Sequence, residues 1–366
     1  MASLLLAVIY VAFISLGLPD SLLGSAWPTM SQDLNVPVAW AGGISAVISM
    51  FTIVSALLSD RMTLKFGAGK VTAVSVALTA AALAGFSVTS NYWVLLAIAI
   101  PYGLGAGGVD AALNNYVAIH YESRHMSWLH CMWGVGASIG PYIMGYALSN
   151  KQGWSMGYRY ISIFQIGLTA ILIISLPLWK QFQNKGNTGQ PDSSSVCTLP
   201  ALTLKQIFQI PGARVNSFCF LLLLCNRTDI LSLGLVVISF CTLGYSSEKA
   251  AGFASLFFIG ITVGRGISGF ITFKLNDSQM IHLGEGIILI GVLAMIFPFG
   301  KTIALTGLIL IGLGCAPIYP SIIHSTPAHF GADKSQSIIG VQMAFAYIGT
   351  CLMPPFFGII ARSIDI

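Results

Sequence analysis

In the stretch Gly103-Leu104-Gly105-Ala106-Gly107-Gly108-Val109-Asp110-Ala111-Ala112-Leu113-Asn114-Asn115-Tyr116, a carboxylate, two amides and a phenol interrupt an apolar run. On a helix, Asp110 and Asn114 are four apart and share a face. A second acid, Asp20, stands between Pro19 and Ser21 in another apolar run. A charged side chain at bilayer depth costs on the order of 2.5–3.5 kcal/mol on insertion scales, so it faces a cavity or a partner and marks a path for solute or proton. Burial disfavours the charged form of a carboxyl, so such a group can hold a proton at neutral pH and release it when water enters. This is proton-carrying chemistry, and Asp20 and Asp110 are the candidates for it. The plainer alternative gives Asp110 only a hydrogen bond to Asn114 or Asn115, and gives Asp20 only the backbone opened by Pro19.

His130 and Trp133 lie one helical turn apart. An aromatic wall beside a hydrogen-bonding ring suits a sugar, whose C–H face stacks while its hydroxyls bond. The amides of Asn114 and Asn115 extend this set of solute contacts, and Gln342 and Tyr347 are candidates to line the other half of the cavity. No Ser/His/Asp order, HExxH pattern or phosphate loop sits at a membrane–water boundary, so no catalytic residue and no enzyme activity are expected. The seven cysteines show no CxxC or metal spacing. They read as small buried hydrophobes, with no metal and no cofactor implied.

The elements that must carry these residues follow from composition. The 366 residues are 55% hydrophobic and 8% charged, with mean hydropathy +0.83, where a soluble domain carries about 25% charge. An all-α polytopic membrane protein results. The net charge of +5 is spread over short loops, which excludes nucleic acid as a partner and leaves the lipid bilayer. A spanning helix needs about 20 apolar residues. That length gives about eleven segments, near 4–26, 38–58, 71–88, 92–119, 128–148, 158–179, 215–243, 250–273, 281–298, 303–323 and 337–361. A polar stretch rich in Ser, Asn, Gln and Gly separates the first six from the last five, which divides the chain into 1–180, a linker 181–209, and 210–366. Six plus five looks like a six-plus-six architecture with its last helix missing. The loops holding Arg61, Lys65, Lys70, Arg124, Lys180, Lys185, Lys205, Arg214, Lys274 and Lys334 outweigh the opposite set, so they and the N-terminus are expected to be cytoplasmic. The glycines of Gly103 to Gly108 imitate a dinucleotide fingerprint but lack its strand, and are expected to let helices approach closely. Trp27, Trp40, Trp93, Trp154 and Trp179 are expected at the membrane interfaces. The run Asn226-Arg227-Thr228-Asp229 puts four polar groups mid-span, either as an intramembrane pair or as the trace of a compensated frameshift across 222–244.

The stretch Ser59-Asp60-Arg61-Met62-Thr63-Leu64-Lys65-Phe66-Gly67-Ala68-Gly69-Lys70 resembles the major facilitator superfamily signature between helices two and three. Gly264-Arg265 through Lys274 and Asp277 stands at the corresponding place of the second half, as repeated halves require. The resemblance implies a fold of two six-helix halves and a breakable charge latch formed by Asp60, Arg61, Arg265 and Asp277. Within the superfamily, Pro19-Asp20-Ser21-Leu22-Leu23 and Gly108-Val109-Asp110-Ala111-Ala112-Leu113-Asn114-Asn115 are similar to segments of the fucose/glucose–proton symporter group. Trp128-Leu129-His130-Cys131-Met132-Trp133 and Pro317-Ile318-Tyr319-Pro320-Ser321 resemble that group too. Asp110 then stands at the group's proton-carrying glutamate, Asn114 at its asparagine, and His130 at a sugar-contacting glutamine. What the resemblance implies is a monomeric, multi-pass carrier of the cell membrane that moves a sugar-like solute with protons by alternating access. Gly136, Gly140-Pro141 and Gly145 resemble part of a drug-exporter signature, which keeps a proton antiporter as the alternative, beside a truncated member that does not transport.

Overall fold

The computed structural model describes residues 2–186, 202–228, 247–296 and 301–363. Thirteen helices occupy them: α1 (Ala2–Gly17), α2 (Leu22–Asp33), α3 (Ala41–Phe66), α4 (Ala68–Phe86), α5 (Tyr92–His120), α6 (Ser123–Ser149), α7 (Trp154–Gly186), α8 (Leu204–Gln209), α9 (Ala213–Thr228), α10 (Ser247–Ile271), α11 (Asp277–Ile296), α12 (Lys301–Phe330) and α13 (Ala332–Ser363). There is no strand among the described residues. Seven stretches there are long and apolar enough to cross a bilayer, the first running through both α1 and α2 as Ser3–Asp33. Asp229 lies outside the described residues, as do the side chains of Asn226 and Arg227, so the polar run of segment seven has no structural account.

Two compact units emerge. One comprises Met1–Tyr116 with Met132–Gln209, the other Val117–Cys131 with Ile210–Ile366. Helices α5 and α6 therefore belong to the first unit over most of their length, while the tip that joins them belongs to the second.

Glycine sets the helix spacing of the first unit, as the sequence led one to expect. A Cβ on Gly103 or Gly107 of α5 would collide with the Ile48 or Thr52 carbonyl oxygen of α3. On the opposite side, one on Gly105 or Gly108 would collide with Ser75 of α4. In lipid, where apolar burial gives no net drive between helices, such close backbone contact supplies the packing energy. A core of Leu22, Trp27, Phe86, Tyr102, Tyr158 and their neighbours fills the space between α2, α4, α5 and α7. Gly67 joins α3 to α4 with no residue to spare, at φ +80° and ψ 152°, a region open essentially to glycine alone.

The second unit is built on α12. Glycine pairs bring it against α11 (Gly284 with Gly314, Gly291 with Gly307), and Gly260 and Gly312 bring it against α10. Phe257, Ile261, Ala304, Leu308 and Ile311 form its core.

Three of the five tryptophans expected at the interfaces are buried within the protein. Trp27 donates to the Val38 carbonyl at 2.7 Å, Trp154 to Asp33 Oδ2 at 2.9 Å and Trp179 to Ser175 Oγ at 3.2 Å. Each buried indole N–H thus has a partner within the protein. Trp40 and Trp93 are exposed.

Candidate functional site

The first span is broken at residues 18–21, with Asp20 in the break. Pro19 has no N–H to give the Ser15 carbonyl four residues back. That carbonyl accepts the Gln165 amide of α7 at 2.8 Å instead. The same exchange happens on α6. Pro141 cannot bond the Ala137 carbonyl, and the Ser21 hydroxyl donates to it at 2.7 Å. Two prolines thus free two carbonyls, and side chains of neighbouring helices satisfy both, the condition for irregular backbone at membrane depth. The break is pinned on either side. Asp20 is left exposed, and its Oδ2 accepts the Trp133 indole N–H at 2.8 Å.

Gln165 is 1% exposed and its carbonyl oxygen accepts the Thr79 hydroxyl at 2.8 Å. It was not among the residues singled out from sequence, although a lone amide in an apolar segment was visible there. Gln165→Leu would strand the buried Ser15 carbonyl, at about 1–3 kcal/mol, while the Thr79 hydroxyl keeps the Val76 carbonyl at 2.9 Å. The expected result is a lower melting temperature for the purified protein, and a melting curve equal to the parent's would contradict this role.

Asp110 sits deeper. Asn114 Nδ2 donates to Asp110 Oδ1 at 2.8 Å and to the Asp110 carbonyl at 3.0 Å, and Asp110, Asn114 and Asn115 are all buried. The predicted shared face is therefore a bonded pair. Between this region and the break lies a small cavity lined by Pro19, Tyr102, Ala106, Val109, Thr79 and Gln165, among others. It touches the residue before Asp20 and the residue before Asp110, and its size suits about one water molecule.

In the second unit, His130 is buried with its ring edge-on to Tyr319, centroids 5.0 Å apart at 87°. The buried Arg265 donates to its backbone carbonyl at 3.0 Å. His130 and Trp133, one turn apart on α6, thus fall in different units. Gln342 Nε2 donates to Thr326 Oγ1 at 3.0 Å, while its buried Oε1 has no protein partner among the described residues. Tyr347 is half-buried on α13. Of the proposed latch residues, Asp60 is buried and Arg61 exposed, both inside the last two turns of α3 rather than in a loop. Arg265 likewise lies within α10. Asp277 opens α11 and pairs with His324 at 2.7 Å.

The Major Facilitator Superfamily model matches residues 9–354. A glucose/mannose transporter of Bacillus subtilis, GlcP, is 22% identical over 334 residues, covering 85% of this chain and 77% of that protein. Among solved structures, FucP, a fucose:proton symporter of E. coli, superposes with a TM-score of 0.75 at 13% identity, over 98% of this chain and 92% of its own. The proton:xylose symporter XylE superposes at 0.71 and 12% identity, over 98% and 88%. A broken first span, proline-bearing apolar helices, close glycine packing and a family match over nearly the whole length converge: this is a multi-pass membrane transporter, not an enzyme, and the chain belongs to the Major Facilitator Superfamily.

Proposed function

We propose that the protein is a secondary active transporter that moves a sugar-like small solute together with protons by alternating access. The observation that carries this reading is the exposed Asp20 carboxylate held by the Trp133 indole at a proline-made break in the first span. An aromatic face beside a water-accessible carboxylate presents what a sugar binds, a stacking surface and a hydrogen-bond acceptor. Asp20 itself and, behind it, the buried carboxyl of the Asp110–Asn114 pair are proposed to carry the proton. The descriptions of GlcP, FucP and XylE as sugar carriers support the same solute class. His130, Gln342 and Tyr347 are proposed as the second unit's solute contacts, with Asn115 beside Asn114 in the first. Asp60, Arg61, Arg265 and Asp277 are proposed as latch residues. The reading includes two halves, 1–180 and 210–366, joined by a cytoplasmic linker at 181–209, in a monomer of the cell membrane with its N-terminus inside.

The deciding experiment is uptake of tritiated monosaccharides by the purified protein in liposomes, with and without an inward proton gradient. Gradient-driven accumulation of one or a few sugars supports the proposal. No uptake of any sugar, with export of cationic dyes, would replace it with the exporter reading. Gly136 and Gly140 do not favour that reading, because close packing on α1 already accounts for them. Trp133→Phe keeps the ring and loses the N–H donated to Asp20. Because that bond orients the ring and the carboxylate together in this reading, weaker solute affinity is expected. Unchanged affinity in an equilibrium binding assay would remove Trp133 from the site.

A further inference from the structure

The His324 ring lies between two oxygens. Its Nδ1 is 2.7 Å from Asp277 Oδ2 and its Nε2 is 3.1 Å from the Tyr121 backbone carbonyl. Ser123 donates its hydroxyl to the other oxygen of Asp277. Tyr121 and Ser123 form the tip between α5 and α6, Asp277 opens α11, and His324 lies near the end of α12. Both His324 and Asp277 side chains are 19% exposed. All belong to the second unit.

Counting protons decides what this arrangement needs. A backbone carbonyl only accepts, so Nε2 must carry a hydrogen. A neutral imidazole has one N–H, already committed to Tyr121, and Nδ1 then meets Asp277 with a bare lone pair. Two oxygens are satisfied only if one further proton is present, on Nδ1 as an imidazolium against a carboxylate, or on Asp277 donating to Nδ1. Without the tip, the Tyr121 carbonyl is gone. A neutral ring can then give its single N–H to Asp277, and the extra proton is no longer required.

We infer that His324 and Asp277 form a proton-binding site that is complete only while the Tyr121 carbonyl is seated against it, so that a proton bound there holds the α5–α6 tip in place. The tip itself also carries His120, Glu122, Arg124 and His125. Glu122 is bonded to Arg124 at 3.0 Å, and Arg124 lies over the Phe273 ring at 4.8 Å. His125 is stacked edge-on against Tyr121 and Trp128, and burial, with Arg124 beside it, pushes its imidazole below the ordinary value. Lys274 precedes α11 and supplies no acceptor. This site is separate from Asp20 and Asp110 and does not depend on the identity of the solute.

Linkage fixes the sign. The docked tip binds one more proton than the released tip, so raising pH favours release. The effect is at most about tenfold per pH unit, over the range in which the docked tip holds the proton and the released tip does not. Hydrogen–deuterium exchange of the full-length protein in lipid nanodiscs, between pH 5.5 and 8.5 and corrected for intrinsic rates, reads it on peptides covering 117–131. Expected is a loss of tip protection as pH rises through 6–8 in the parent, and a flat profile in His324→Gln and in Asp277→Asn. Asp277→Glu keeps a carboxyl for Nδ1 and leaves the ring on the Tyr121 carbonyl, so it is expected to keep the dependence. If the other single variants do not fold, the parent titration and Asp277→Glu decide. A parent profile without pH dependence overturns the inference, as does a His324→Gln profile that keeps it.

Discussion

Asp110→Asn is expected to abolish proton-driven accumulation of solute while leaving solute exchange across the membrane nearly intact. The substitution is almost isosteric. Asn114 Nδ2 donates to Asp110 Oδ1, and the carbonyl oxygen of an asparagine accepts the same bond at the same place. The pair therefore keeps its geometry, and the glycine-spaced packing of α5 against α3 and α4 is undisturbed. What disappears is the choice between two protonation states. A buried carboxyl can enter one side loaded and leave the other side empty, whereas an amide is neutral throughout. Coupling is a difference in free energy between loaded and unloaded states, and a group with one state contributes none. In liposomes, the internal solute concentration under a proton gradient should rise only to the external level. Counterflow of labelled against unlabelled solute should proceed within about threefold of the parent, because removing a linked proton alters no solute contact in this account. Loss of counterflow together with accumulation would assign Asp110 a structural role.

Much of this site was legible because it rests on local spacing. Asp110 and Asn114 are four apart, and the helix brings them together as spacing requires. The glycines of α5 behave as a packing surface because lipid-embedded helices have few other ways to approach closely. What sequence did not reveal was long-range. Gln165 reaches a carbonyl 150 residues away, and only the question of where a proline-freed carbonyl finds its donor would have pointed to a lone amide in segment six. His324 meets Asp277 and Tyr121 across 47 and 203 residues, so its role could not be read from its own helix.

Helix ends were the other weak point. Arg61 read as a loop residue beyond a span ending near residue 58, yet α3 runs on through it to Phe66 and ends at Gly67. Arg265 fell inside segment 250–273, and α10 holds it. His130 and Trp133 share a face by periodicity, and that inference holds for the helix itself. It could not show that one of them packs against Tyr319 in the second unit while the other reaches Asp20 in the first.

The largest structural effect is expected from Gly140→Val. Helices α1 and α6 approach so closely that a Cβ on Gly136 would strike the Ile14 carbonyl oxygen, and one on Gly140 the Leu18 carbonyl oxygen. Gly17 faces the Trp133 carbonyl from the other side in the same way. These are backbone atoms, which no rotamer change can move aside. Overpacking a well-filled interface costs about 1–3 kcal/mol, and an obstacle made of backbone places this substitution at the upper end. Leu18 is the first residue of the break, so pushing it away also separates Ser21 from the Ala137 carbonyl and Asp20 from Trp133. Stability and solute binding should therefore fall together. Gly145→Val is the matched control, since nothing lies within 4 Å of a Cβ there. Thermal denaturation of both variants in the same detergent tests the account. A clear drop in melting temperature for Gly140→Val beside a parent-like Gly145→Val is expected, and equal melting for the two would mean that the α1–α6 contact does not hold the broken span in place.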